Sequence, residues 1–141
     1  MGVLAEKKRR MYYFAYASNL SRKQMAERAP QARARFSATL TNYKLVFSGW
    51  SRSWRGATAS LQPSRGDRVM GGIYEVAEAD IARLNRYEGD EYTGLKVTVF
   101  RDTGEGVEAV TFVRKRQQDE GKPSPEYLAV IKQGYTEWGL V

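Results

Sequence analysis

Met11-Tyr12-Tyr13-Phe14-Ala15-Tyr16-Ala17-Ser18-Asn19-Leu20, followed directly by Ser21-Arg22-Lys23-Gln24, is the stretch on which the fold turns. From Met11 to Tyr16 the chain is apolar or aromatic at every position, on both alternating faces of an extended segment. A strand of that kind is covered on both sides and belongs inside a sheet or barrel. Its exit runs through the small residues Ala17 and Ser18 to Asn19. Ser21, with Gln24 three positions on, reads as a capping box that opens a helix, and Pro30 stops it. A strand end, a small-residue bend and a helix start thus follow one another. Such a junction directs backbone N–H groups outward at the positive end of a helix dipole, which suits a carboxylate or a developing oxyanion.

Working outward, residues 1–10 are polar and charged and read as a loose tail, leaving 11–141 as a single domain. Phe36, Ala38 and Leu40, then Tyr43, Leu45 and Phe47, alternate with polar neighbours, as in two half-buried strands or one long bent strand. Gly49 to Gly56 mixes Trp50 and Trp54 with cations and reads as a loop whose tryptophans plug the end of the core, the alternative being a lid. Ala57 to Gln62 reads as a strand, Pro63 to Asp67 as a turn, and Val69 to Val76 as a further strand. The paired Gly71-Gly72 inside it marks a bulge or a close backbone approach.

Ala77 to Glu88 carries the clearest helical spacing, and Gly89 supplies its stop. Leu95 to Phe100 and Val107 to Val113 form a hairpin about Thr103-Gly104-Glu105-Gly106. Ser124 and Pro125 open a last helix, with Leu128 and Ile131 on its buried face and Gly134 at its end. Strands joined mostly by turns, with about three flanking helices, indicate an α+β fold in which a small mixed sheet curls into a barrel.

Composition narrows the chemistry. The 141 residues include neither histidine nor cysteine, so a Ser-His dyad, a thiolate nucleophile and a zinc site built on those ligands are excluded. Proton transfer falls to a carboxylate, a lysine or a tyrosine. The lack of cysteine and of a bilayer-length apolar run agrees with a cytoplasmic protein. The net charge of +7 favours anionic partners. The basic residues are scattered apart from Lys7–Arg10 and Arg114–Arg116, which favours small carboxylates over nucleic acid.

Glu88 stands out within that inventory. Continuing the apolar spacing from Ile81 by seven, or from Leu84 by four, lands on it, so a carboxylate occupies a place meant for a hydrophobe. An apolar surround and the negative end of a helix dipole both raise a carboxyl pKa toward the range useful for acid-base work. The opposite reading, a Glu88 that reaches water at a frayed helix end, is open on spacing alone. Asp90 and Glu91 match no metal-ligand spacing and read as solvated loop charge.

With these residues in view, the chain resembles the γ-glutamylcyclotransferase family. Tyr13-Phe14-Ala15-Tyr16-Ala17-Ser18-Asn19-Leu20 is similar to the family's Tyr-Phe-Ala-Tyr-Gly-Ser-Asn-Leu, and Leu84-Asn85-Arg86-Tyr87-Glu88-Gly89 to the helix end that bears its catalytic Glu-Gly. Arg55 to Ala59 with Gly66 to Gly71 resembles its middle strands, and Pro123-Ser124-Pro125-Glu126-Tyr127 its Pro-Ser-Pro-x-Tyr. The resemblance implies a reaction without cofactor or metal, in which the α-amine of a γ-glutamyl amino acid attacks its own γ-carbonyl and releases 5-oxoproline. It makes Glu88 the general acid/base. The segment Tyr13, Phe14, Ala15, Tyr16, Ala17, Ser18 and Asn19 then holds the γ-glutamyl group, largely through its backbone, with Tyr92 and Tyr127 as further contacts. Ala17 replaces the family's glycine, a change that matters if the position requires positive φ. Two alternatives stand beside this: the same fold acting on γ-glutamyl amines or other conjugates, and a non-catalytic basic binding module. A monomer and a homodimer both remain open.

Overall fold

The computed structural model describes residues 10–141. The strands are β1 (Arg10–Ala15), β2 (Arg33–Ser51), β3 (Gly56–Ala77), β4 (Tyr92–Phe100) and β5 (Gly106–Arg114). The helices are α1 (Arg22–Arg28), α2 (Glu78–Glu88) and α3 (Pro125–Glu137), and Ser18–Leu20 forms a 3-10 turn between β1 and α1. The strands close into a barrel in the order β1-β3-β2-β4-β5. β1 pairs antiparallel with β3, Tyr13 opposite Tyr74, and parallel with β5, Tyr13 opposite Val110. The barrel is therefore mixed, and β1 is the interior strand that its uninterrupted apolar sequence requires.

Both faces of β1 are buried for different reasons. Phe14 faces the barrel interior and packs in one cluster with Leu40, Val69, Ile73 and Val99. Tyr13 and Ala15 face outward into a second cluster with Leu20, Met25, Tyr74, Val76, Leu84 and Phe112, which lies beneath the helices. The two-residue period of a strand thus joins both cores in six residues. Arg10, assigned by sequence to the tail, already pairs with Ala77 as the first residue of β1; the rest of that tail lies outside the described residues.

Two sequence expectations change, and the close approach expected at Gly71-Gly72 is present. Pro63 to Asp67 does not reverse the chain: β2 and β3 are single long strands forming one hairpin, and register moves from Thr41 opposite Arg68 to Tyr43 opposite Pro63. The surplus turn residues of β3 form an outward bulge, where Gly66 has φ 87° and Asn42, with φ 64°, accepts from the Gly66 N–H at 3.1 Å. Gly71 and Gly72 make close approaches, with Phe14 ring atoms and the Trp138 ring, respectively, where their side chains would stand. Gly134 does not end α3. It lies inside the helix, where an added Cβ would stand 2.5 Å from Leu20 Cβ, so it lets α3 rest on the 3-10 turn.

Candidate active site

At one end of the barrel the exit of β1, the end of α1, the end of α2 and the start of α3 converge on a cavity of about 270 Å³. Glu88 reaches it as the last residue of α2, held there because Leu84 one turn earlier is fully buried and Gly89, with φ 88°, turns the chain away. Its side chain is 22% exposed, and Arg28 Nη1 lies 3.9 Å from Oε2. Burial raises the Glu88 pKa above its ordinary value of 4.5, while the positive charges of Arg28 and Arg114 pull in the opposite direction. The solvated-end alternative is thereby set aside.

The bend after β1 forms the facing wall, and Asn19 organises it. Asn19 Nδ2 donates to the Tyr13 hydroxyl at 2.9 Å, its Oδ1 accepts from Gln24 Nε2 at 3.0 Å and from Arg28 Nη1 at 3.1 Å, and its backbone O accepts from the Tyr74 hydroxyl at 3.0 Å. Only half of the expected capping box forms. Ser21 Oγ accepts from the Gln24 N–H at 3.2 Å, but the Gln24 side chain is drawn to Ser18 Oγ, at 2.8 Å, and to Asn19 instead. The N–H of Arg22 at the helix start is taken by Glu137 Oε1 at 2.9 Å.

Seven of the nine expected binding residues line this cavity with Glu88: Tyr13, Tyr16, Ala17, Ser18, Asn19, Tyr92 and Tyr127. Phe14 and Ala15 do not: Phe14 packs inside the barrel and Ala15 beneath the helices, and both are fully buried. Ala17 has φ −139°, so the position does not require a positive φ. The Tyr16 hydroxyl is committed to Phe112 O at 2.6 Å. Burial, reinforced by the charge of Glu88, pushes the Tyr13 and Tyr16 hydroxyls far above their usual pKa, so both stay protonated.

Several lining residues carried no signal in the sequence. Arg28 sits in the last turn of α1, where a cation is expected for helix-end reasons alone. Arg114 looked like part of a surface basic run, yet its side chain is 5% exposed. Its Nη2 donates to Ser48 O at 2.9 Å and Thr58 Oγ1 at 2.8 Å, and its guanidinium stands 5.0 Å from the Tyr92 ring centre. Asp90 and Glu91 are both exposed, as solvated loop charge should be, although Glu91 also lies 3.6 Å from Arg114 Nη1 and lines the cavity. Trp54 packs on the Tyr127 ring at 4.9 Å and serves as the expected plug, but Trp50 is 66% exposed and does not.

The profile of the family described as gamma-glutamyl cyclotransferase, AIG2-like, matches residues 13–132. The chain belongs to this family. Over 135 residues it is 31% identical to a gamma-glutamylcyclotransferase of Bos taurus and 30% identical to that of Homo sapiens, alignments that cover 91% of this chain and 71% of each relative. A solved structure titled gamma-glutamyl cyclotransferase superposes with a TM-score of 0.90 at 28% identity, covering 94% of this chain and 82% of that one. The match begins at Tyr13 and ends past Tyr127, so both sides of the cavity fall within the cyclotransferase region. Among the described residues of this cyclotransferase-family chain, no helix is long and apolar enough to cross a membrane.

Proposed function

We propose that the chain is a γ-glutamylcyclotransferase that converts a γ-glutamyl amino acid into 5-oxoproline and the free amino acid. The observation that carries this reading is a raised-pKa carboxylate, Glu88, facing the Tyr16–Asn19 bend across a cavity with room for a small molecule. Glu88 takes a proton from the substrate α-amine as that nitrogen bonds to the γ-carbonyl carbon. It then returns the proton to the amide nitrogen as the carbon–nitrogen bond to the released amino acid breaks. The nucleophile belongs to the substrate, which accounts for a site built without histidine or cysteine. The bend from Tyr13 to Asn19 holds the γ-glutamyl group, and Tyr92 and Tyr127 wall the leaving-group side. No step calls for a cofactor, and a cysteine-free chain of this activity fits the cytoplasm.

The test is a panel of γ-glutamyl compounds with the cyclic lactam as readout. 5-Oxoproline from γ-glutamyl-alanine, lost in Glu88→Gln, supports the reading. Turnover of γ-glutamyl-ε-lysine or γ-glutamyl amines alone moves the substrate to the other conjugates. No lactam from any of them, with salt-sensitive RNA binding unchanged in Glu88→Gln, replaces the enzyme with a basic binding module.

A further inference from the structure

The ion pair in the cavity wall is incomplete. Arg28 Nη1 and Glu88 Oε2 are 3.9 Å apart, beyond hydrogen-bond reach, although the two side chains are only 17% and 22% exposed. A guanidinium carries five N–H donors. Among the described residues Arg28 has one hydrogen bond to the protein, Nη1 to Asn19 Oδ1, and its charge rests over the Tyr87 ring, 5.0 Å from the centre. Both Arg28 and Glu88 line the cavity.

The other cations there are placed differently. Arg114 Nη2 is spent on Ser48 and Thr58, Glu91 stands 3.6 Å from its Nη1, and the side chain is almost wholly covered. Arg52 is exposed on the loop between β2 and β3. Arg114 also keeps Nε and Nη1 without hydrogen-bond partners, but both are buried; among the described cations lining the cavity, Arg28 is the one that combines a half-open position, unspent donors and an approach of 3.9 Å to Glu88.

The cyclotransferase reading, on which this inference rests, presents that wall with a zwitterion, since the attacking amine and the α-carboxylate share one carbon. A base close enough to deprotonate the amine has the substrate carboxylate as its neighbour, a like charge that a cation must offset. A guanidinium about 4 Å from the base lies where that carboxylate falls. We propose that Arg28 binds the α-carboxylate of the γ-glutamyl group through the guanidinium edge that Asn19 leaves free, and thereby restricts the enzyme to substrates with a free α-carboxylate. Asn19 is then a positioning residue for Arg28.

Three substrates test this: γ-glutamyl-alanine, its analogue with the glutamyl α-carboxyl as carboxamide, and its analogue with the alanine carboxyl as carboxamide. By lactam formation, wild type should prefer the parent over the α-carboxamide in kcat/KM by roughly 10- to 100-fold, the worth of a charge-assisted hydrogen bond. Arg28→Gln should bring that ratio toward one, and Arg28→Lys, which keeps the charge without the fork, should leave an intermediate value. A wild-type ratio near one, a ratio unchanged in Arg28→Gln, or an Arg28 effect that follows the alanine carboxyl instead would each overturn the proposal. Should Arg28→Gln not fold, calorimetry on wild type decides: 5-oxoproline should bind more tightly than its carboxamide, and equal binding overturns the proposal. A wild-type enzyme making no lactam at all removes the cyclotransferase reading and this inference together, whereas lactam formation without α-carboxylate preference removes this inference alone.

Discussion

Tyr92 and Tyr127 grip the same residue of β3 from the cavity side: the Tyr92 hydroxyl donates to Ala59 O at 2.8 Å, and the Tyr127 hydroxyl accepts from the Ala59 N–H at 2.9 Å. Two phenols from β4 and α3 stand in for a neighbouring strand, which satisfies the backbone while leaving the barrel end open as a cavity. Burial raises the pKa of both hydroxyls, so both keep their protons.

Tyr127→Phe should therefore act twice. It strips the Ala59 N–H of its acceptor, at a cost of about 1–3 kcal/mol in urea unfolding. With Tyr127 in its proposed role as a substrate contact that moves no proton, the change should also raise KM by more than it lowers kcat. A variant with lowered stability and an unchanged KM would reduce Tyr127 to a structural part.

Glu88→Gln keeps the shape of the α2 end and removes its proton chemistry. Turnover should fall by roughly 10²- to 10⁴-fold, measured as 5-oxoproline formed, with the circular dichroism spectrum unchanged. Wild-type-like turnover would place the acid-base group elsewhere.

The same variant tests the pKa argument through stability. The Glu88 pKa is raised in the folded state, so its neutral form is favoured there. The stability this contributes is complete below the unfolded value of 4.5 and is lost as pH rises through the folded value. Glu88→Gln does not titrate, so its stability relative to wild type should increase with pH across that window and level off above it. A difference that is flat with pH, or that declines, would show that burial does not raise the Glu88 pKa.

What was legible in the sequence follows from how locally each feature is specified. The interior position of β1 was readable because Tyr12 to Tyr16 has no polar residue to spare for solvent, and Glu88 was readable because a carboxylate interrupted an apolar helix face. The continuity of β3 was not, since Pro63 to Asp67 has the composition of a chain reversal and only pairing with β2, through Asn42, keeps it extended. Arg28 and Arg114 were hidden for a related reason: a cation's role depends on what faces it, and their partners Glu88 and Thr58 lie 60 and 56 positions away in the chain. Phe14 and Ala15 show the limit of carrying a motif over whole. A contiguous segment is not a contiguous surface: Tyr13 and Tyr16 reach the cavity, while the two side chains between them are sealed in the two cores.

The two tryptophans of the loop between β2 and β3 should separate cleanly. Trp54 packs on Tyr127 at 4.9 Å, and Trp54→Ala should cost about 1–3 kcal/mol of stability and raise KM with it. Trp50 is 66% exposed, and Trp50→Ala should stay within about 0.5 kcal/mol of wild type. Equal losses in thermal or urea unfolding would mean that both plug the barrel.

Gly134 links the last helix to the first turn, and its substitution should be felt at the site. A Cβ there would lie 2.5 Å from Leu20 Cβ and 2.8 Å from the Ser21 N, backbone and core atoms with little freedom to move. In an exposed helix, alanine for glycine stabilises by about 0.5–1 kcal/mol; here Gly134→Ala should instead destabilise by about 1–3 kcal/mol, the usual cost of overpacking. The same displacement pushes on the Ser18–Leu20 turn, which Trp138 Nε1 and the Tyr74 hydroxyl already hold by donating to Leu20 O at 2.8 Å and Asn19 O at 3.0 Å. Because Asn19 in turn orients Arg28, activity should decline by more than the loss of folded protein explains, with KM rising for γ-glutamyl-alanine under conditions where the variant is fully folded. Stabilisation by Gly134→Ala, or a loss of stability with kinetics unchanged in the folded fraction, would disconnect α3 from the substrate-binding bend.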